Sequence, residues 1–255
     1  MVRKYKLSKG FTLVELSIVI IIIGFLIAGV SAGQSLIQSA QYNKLISDIH
    51  QYDTAFMGFY NRYSAIPGDM KNAESFWGSA AAIDAIPTGT QTWNGNGNGF
   101  IDNVSNESLR AWQHLVNAGL INGQFNGVSA GGSSYNDVAI VGVNIPASPL
   151  KQTGYNLWST DGSWFFVPAG LGAHHDIFVG TPVPGLPGSA YARVFTPQEA
   201  MLIDAKIDDG KPLTGRVYSN IDFNWDGNCV DGFDYNLSYT AAACLPNFIL
   251  SAPAN

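Results

Sequence analysis

The sequence predicts an α+β fold in which a long N-terminal helix, its first half transmembrane, packs on a globular head with an antiparallel sheet. Three observations carry this reading. An apolar run from Phe11 to Val30 passes without a break into a stripe of apolar residues at helical spacing. Two later segments carry helix start and stop signals. Between and after them, short apolar runs bounded by Gly, Pro and Asn read as strands.

The long helix comes first. Residues 11–30 hold a single charge, Glu15. A helix of about 20 residues spans about 30 Å, the depth of a bilayer core. Beyond Gln34 the chain turns polar, yet Tyr42, Leu45, Ile49, Tyr52, Phe56, Phe59 and Tyr63 recur at steps of three and four. Pro67-Gly68 supplies the stop. One helix over 11–63 follows, with about 11–32 in the membrane and an aromatic stripe that packs the head. Gly24, Gly29 and Gly33 lower helix propensity and allow close helix approach. In the head, Asp69 caps a short helix over Met70–Trp77, and 78–93 is irregular. A second helix runs from Asn106 to Ala118 with Leu109, Trp112, Leu115 and Val116 on its apolar face and Gly119 as its cap. A Gly/Ser/Asn loop covers 122–134. Strands are expected at Asp137–Ile145, Ser163–Val167, Asp176–Gly180, Tyr191–Phe195 and Gly215–Ser219. Thr196-Pro197-Gln198-Glu199 is a capping box that opens a helix to Ile207.

Composition narrows the function. Charged residues make up 13% of the 255-residue chain, against roughly 25% in an ordinary globular protein. The high apolar fraction excludes a disordered chain, and the glycines lack the period of collagen. A pI near 5.0 gives no footprint for nucleic acid. Arg3, Lys4, Lys6 and Lys9 place four basic residues and no acid in 1–10, which leaves nine basic against nineteen acidic residues, a net of −10, for 11–255. Basic residues ahead of one apolar span hold the N-terminus in the cytoplasm and send the rest across the membrane once. A signal peptide cut after Val30-Ser31-Ala32 has a shorter core than this run. A plain anchor leaves Glu15 unexplained, because a carboxylate in hydrocarbon costs about 2.5–3.5 kcal/mol.

Lys9-Gly10-Phe11-Thr12-Leu13-Val14-Glu15 resembles the signature of type IV prepilins. The resemblance implies a leader at 1–10 cut after Gly10, N-methylation of Phe11 by the same peptidase, a helix at 11–63 and a pilin-like head at 64–255. It also implies that Glu15 pairs in the membrane with the new amine of a neighbouring subunit, which sets register more than it stabilises. Ala65-Ile-Pro-Gly-Asp-Met70, Phe76-Trp-Gly78, Ala111-Trp-Gln-His-Leu115, Ala118-Gly-Leu-Ile121 and Ile203-Asp-Ala-Lys-Ile-Asp-Asp-Gly-Lys-Pro212 are similar to stretches of a large prepilin-type group often labelled with type II secretion. The implied function is a structural subunit of a type IV pilus-like filament or a type II secretion pseudopilus, and no enzyme. The implied partners are copies of itself or other pilin-like subunits, prepilin peptidase, and an inner-membrane platform with its ATPase. The implied place is the inner membrane with a periplasmic head, then a periplasmic or extracellular filament. The competing function is a secreted or membrane-anchored calcium-binding or adhesive protein that does not polymerise.

Calcium is the one cofactor expected. Asn94, Asn96, Asn98 and Asp102 put oxygens at the first, third, fifth and ninth positions of a calcium loop, with Gly99 at the sixth and the Phe100 carbonyl at the seventh. Three Asn replace the usual Asp, and Glu107 lies two residues beyond the normal bidentate position, so the affinity expected is sub-millimolar to millimolar. The alternative is a glycine-rich turn with self-bonding Asn side chains. Asp222, Asn224 and Asp226 repeat the spacing with more charge, although Phe233 holds the twelfth position; major pseudopilins often carry such a loop near the C-terminus. Cys229 and Cys244 are the two cysteines. In an exported chain a bridge between them closes a loop of about 15 residues and is worth roughly 3 kcal/mol; it resembles the C-terminal disulfide loop of many type IV pilins. Gly127-Val-Ser129-Ala-Gly131 and Gly29-Val-Ser31-Ala-Gly33 fit a hydrolase pattern without its strand-to-helix context, and His174-His175 read as loop polar residues.

Overall fold

The computed structural model describes residues 10–82, 85–102, 106–129, 138–163, 167–168, 170–183, 191–219 and 227–254. The chain divides into two compact units, one ending at Asn43 and one running Lys44–Asn255. Helix α1, Leu13–Tyr63, passes through that boundary. In the first unit its apolar side chains from Leu13 to Ile37 are exposed. Among the described residues α1 is the helix long and apolar enough to cross a membrane.

In the second unit, the expected stripe faces the core. Leu45, Ile49, Phe56 and Phe59 are buried, and Tyr52 sets its ring edge-on against Trp112 and Tyr155 at 4.9 and 5.0 Å. Helices α2, Ala73–Trp77, and α3, Glu107–Asn117, follow. Gly119, at φ +71°, ends α3 with a paired turn: its N–H reaches the Val116 carbonyl and that of Leu120 the Leu115 carbonyl, so two terminal acceptors are satisfied. Strands β1, Gly154–Thr160, and β2, His174–Pro182, form the longest ladder. Strand β3, Tyr191–Ala192, pairs with the end of β2. Helix α4, Pro197–Ile207, opens on the expected capping box, with Thr196 and Glu199 exchanging backbone N–H bonds of 2.9 and 3.2 Å. Strands β4, Val217–Ser219, and β7, Pro246–Ile249, complete an antiparallel sheet in the order β1-β2-β7-β4. Strands β5, Val230–Asp231, and β6, Asp234–Tyr235, form a separate hairpin.

Several expectations change. The segment from Val138 to Ile145 turns instead of extending. Asn144 donates to the Val128 and Val138 carbonyls and accepts from Ile140, and Gly142 sits at φ +80°, so the backbone folds around one side chain. The strand expected at Tyr191–Phe195 stops at Ala192, and Phe195 forms an isolated bridge with Cys244. The strand expected from Gly215 begins at Val217. Most of the strand at Ser163–Val167 lies outside the described residues. Asp69 does not cap α2, which begins at Ala73 after Asn72.

Candidate functional site

At the N-terminus, Gly10, Phe11 and Thr12 precede the helix. Thr12 and Glu15 form a second capping box. The Thr12 N–H and hydroxyl both donate to Glu15 Oε2 at 2.8 Å, and the Glu15 N–H donates to Thr12 Oγ1 at 3.2 Å. Two of the orphan donors at the start of α1 are thereby satisfied. Oε1 of Glu15 has no partner among the described residues, and Glu15 is exposed. A Cβ added at Gly10 would meet nothing within 4 Å among the described residues, so their packing gives no reason for glycine there.

The second candidate is the loop over Asn94–Asp102. Its organiser is Asp69, a buried carboxylate that accepts the N–H groups of Gly97, Asn98 and Gly99 at 2.6, 3.1 and 2.8 Å. Glu107, at the first turn of α3 and 1% exposed, accepts Asn96 N–H on one oxygen at 2.9 Å and Asp102 N–H on the other at 3.0 Å. Asn94 and Glu74 exchange bonds of 2.9 and 3.1 Å. The Asn96 side-chain oxygen accepts the N–H of Asn98, and the Asn98 side-chain oxygen accepts that of Phe100, each at 2.8 Å. Their NH2 groups then donate to Asp102 Oδ2 at 2.8 and 3.0 Å. Burial pushes the Glu107 carboxyl up to about 7, with Asp69 and Asp102 adding to the shift, and burial raises Asp69 as well.

Glycines let the backbones close. A Cβ on Gly95 would lie 2.3 Å from the Asp69 carbonyl carbon, and one on Gly68 would lie 2.3 Å from the Glu107 carbonyl oxygen. The Gly68 N–H donates to His114 Nδ1 at 3.0 Å, which leaves the proton on Nε2, 3.0 Å from Thr92 Oγ1. The Thr92 hydroxyl in turn donates a hydrogen bond to Gln113 Oε1 at 2.7 Å. Burial, with the Arg110 charge nearby, holds His114 neutral with a pKa of about 3. The Ile-Pro-Gly-Asp and Trp-Gln-His stretches, which resembled recurrent segments without a chemistry, thus build one clamp with the Gly-Asn loop.

As arranged, the donor set of this loop does not fit a calcium ion. The oxygens of Asn96 and Asn98 close turns, their amide nitrogens face Asp102, and both oxygens of Glu107 hold backbone N–H groups. Among the described residues, Asp204, Asp208 and Asp209 are the acids that bring ligand atoms within 4.8 Å of one another. Those three are also engaged as acceptors. Asp204 takes Gly210 N–H at 3.1 Å and the Tyr235 hydroxyl at 2.8 Å; Asp208 takes the Arg216 N–H; Asp209 takes Lys211 N–H at 2.8 Å and Thr214 Oγ1 at 2.6 Å. Asp222, Asn224 and Asp226 lie outside the described residues.

Cys229 and Cys244 are joined, with Cα atoms 5.0 Å apart and a sequence separation of 15. The bond encloses the β5–β6 hairpin. His174 and His175 stand on β2, not in a loop. His174 faces Asp176 at 3.2 Å and Tyr218 at 3.3 Å. His175 Nδ1 accepts the Ser159 hydroxyl at 2.6 Å while Nε2 faces the Pro253 carbonyl at 3.2 Å. Burial brings His175 down to about 4. Ser159 already accepts Ile101 N–H at 2.7 Å and both side chains are buried, so this pair ties the loop to the sheet. Ser129 accepts Val138 N–H at 2.7 Å and has the same structural character. The sequence reading assigns Asp69 only a capping role and misses Ser159; each acts on segments 28 or more residues away, and only the Gly-Asn repeat hinted at N–H groups needing acceptors.

Residues 5–31 match the prokaryotic N-terminal methylation motif, the signature of type IV pilins and pseudopilins, a structural and not an enzymatic family. Neither a curated protein nor a solved structure matches the chain.

Proposed function

We propose that this chain is a structural subunit of a type IV pilus-like filament or type II secretion pseudopilus. In this reading prepilin peptidase cuts after Gly10 and methylates Phe11. The subunit then leaves the inner membrane, with its head in the periplasm, through a platform and ATPase. The observation that carries the reading is the match over 5–31 joined to its geometry. The cut site precedes a helix whose apolar side chains are exposed, and the capping carboxylate keeps one oxygen unpaired. Gly10 has open space around it, which fits a glycine selected by an external peptidase. An amine created at Phe11 of a neighbouring subunit supplies the charge that Glu15 needs in a low-dielectric filament core. Any calcium requirement is assigned to Asp222, Asn224 and Asp226, whose two carboxylates suit the ion better than the three asparagines and one aspartate of the first loop.

Mass spectrometry of the mature chain tests the reading. The expected N-terminus is methylated Phe11. An intact Met1, or an N-terminus at Gly33, would overturn it. A melting temperature unmoved by millimolar calcium would remove the calcium assignment.

A further inference from the structure

The Asn94–Asp102 loop has the spacing of a cation loop, yet its interior is satisfied in another way. In a calcium loop, an acidic side chain closes a turn with one oxygen and gives the other to the metal. Asn96 and Asn98 close the same turns, since each side-chain oxygen accepts the N–H two residues on. That bond fixes the amide orientation: turning either amide over would aim its NH2 at a backbone N–H, donor against donor. The nitrogen is therefore forced to the side where a second carboxylate oxygen would stand. From there both nitrogens converge on one atom, Asp102 Oδ2, at 2.8 and 3.0 Å. A carboxylate oxygen that accepts two amide N–H groups has the positive partners a cation would otherwise supply. Asp69 and Glu107, behind the loop, are likewise filled by five backbone N–H groups.

We propose that this loop closes without a metal ion, because the Asn96 and Asn98 amide groups take the cation's place on Asp102, and that exchanging both for Asp makes its closure depend on calcium. The substitution changes two nitrogens into two oxygens and leaves the turns intact. Three carboxylates then meet at Asp102 Oδ2 with Glu107 and Asp69 close behind, an arrangement that like-charge repulsion opens. Calcium, which takes six to eight oxygens, relieves it.

Amide hydrogen exchange across residues 95–102 of the full chain in detergent reads this directly, with calcium chloride or with EDTA. The local readout separates this loop from any effect at 222–226. Wild-type exchange is expected to be the same in both conditions. For Asn96→Asp/Asn98→Asp, exchange in EDTA should be faster by roughly tenfold or more, the scale of one lost charge-assisted hydrogen bond, and should return toward the wild-type rate at millimolar calcium. Slower wild-type exchange at 95–102 in calcium would overturn the proposal, and this arm needs no folded variant. Wild-type-like exchange of the double variant in EDTA would overturn it equally. The single variant Asn98→Asp, with one added charge, should show the same sign and a smaller change.

Discussion

The same four-residue device opens α1 and α4, and the two copies end in different places. At α4, Thr196 and Glu199 are part-buried, Pro197 pre-sets the first turn, and Ala200 and Ile203 go straight into the core. The box is completed inside the chain. At α1, Thr12 and Glu15 make the same bonds, but on an exposed helix end with one carboxylate oxygen left over. A cap needs one acceptor for the backbone; the surplus oxygen on Glu15 has no partner among the described residues. The contrast separates a capping carboxylate that is left half-used at an exposed helix end from one that is packed into the head.

Removing each carboxylate breaks that comparison most directly. Glu15→Ala is expected to abolish filament assembly, scored by electron microscopy of sheared filaments. Glu199→Ala is expected to leave assembly intact and to cost the head about 1 kcal/mol, the usual loss for a broken helix cap, measured by chemical denaturation. Assembly that survives Glu15→Ala would remove the distinction between the two boxes.

The disulfide gives the next largest effect. Cys229→Ser/Cys244→Ser is expected to destabilise the head by roughly 3 kcal/mol, the chain-entropy figure for a loop of this length. The loss should appear in the head's melting temperature. Processing at Gly10 should be unaffected, since the leader and the bridge belong to different units. Failure of cleavage in this variant would show that the two are coupled.

How legible all this was follows the range of the interactions. The Thr196–Glu199 box, α1 and α4 could be read because caps and helical stripes act over three or four residues; the Thr12–Glu15 box, of the same range, went unread because the resemblance gives Glu15 a partner in another subunit and none in its own chain. Strand β1 could not, because both its faces are buried: Tyr155 and Leu157 lie on one side and Asn156 on the other, so no alternation marks it. Strand β7 has four residues and begins with Pro246. Asp69 was assigned to the helix just after it, a sound local rule that lost to three N–H groups brought up 28–30 residues later. The Gly-Asn spacing announced a turn of calcium-loop shape, but the atom each Asn turns inward depends on Asp102 and α3 together, and no spacing encodes that.

The smallest effect concerns how the head closes its charges. Burial pushes Asp204 up to about 7, with Asp208 and Asp209 facing it, and lowers His114 to about 3 and His175 to about 4. The signs oppose one another. Asp204 holds a proton in the fold that the unfolded chain releases above about 3.9, so its contribution stabilises at acid pH and is lost as pH rises through 7. The two histidines stay neutral in the fold while the unfolded chain takes up protons below about 6.5, so their contribution is lost as pH falls. Between about pH 4.5 and 6.5 the raised acids, Asp204 and Glu107, oppose the two histidines in the wild type. Asp204→Asn removes one of these acids and keeps the shape, because an amide oxygen still accepts Gly210 N–H and its NH2 still meets the Tyr235 hydroxyl. The expected outcome is a melting temperature that falls more steeply on acidification in the variant than in the wild type over that window. Parallel curves would mean that Asp204 is ionised in the fold, its charge met by the Gly210 N–H and the Tyr235 hydroxyl rather than by a proton.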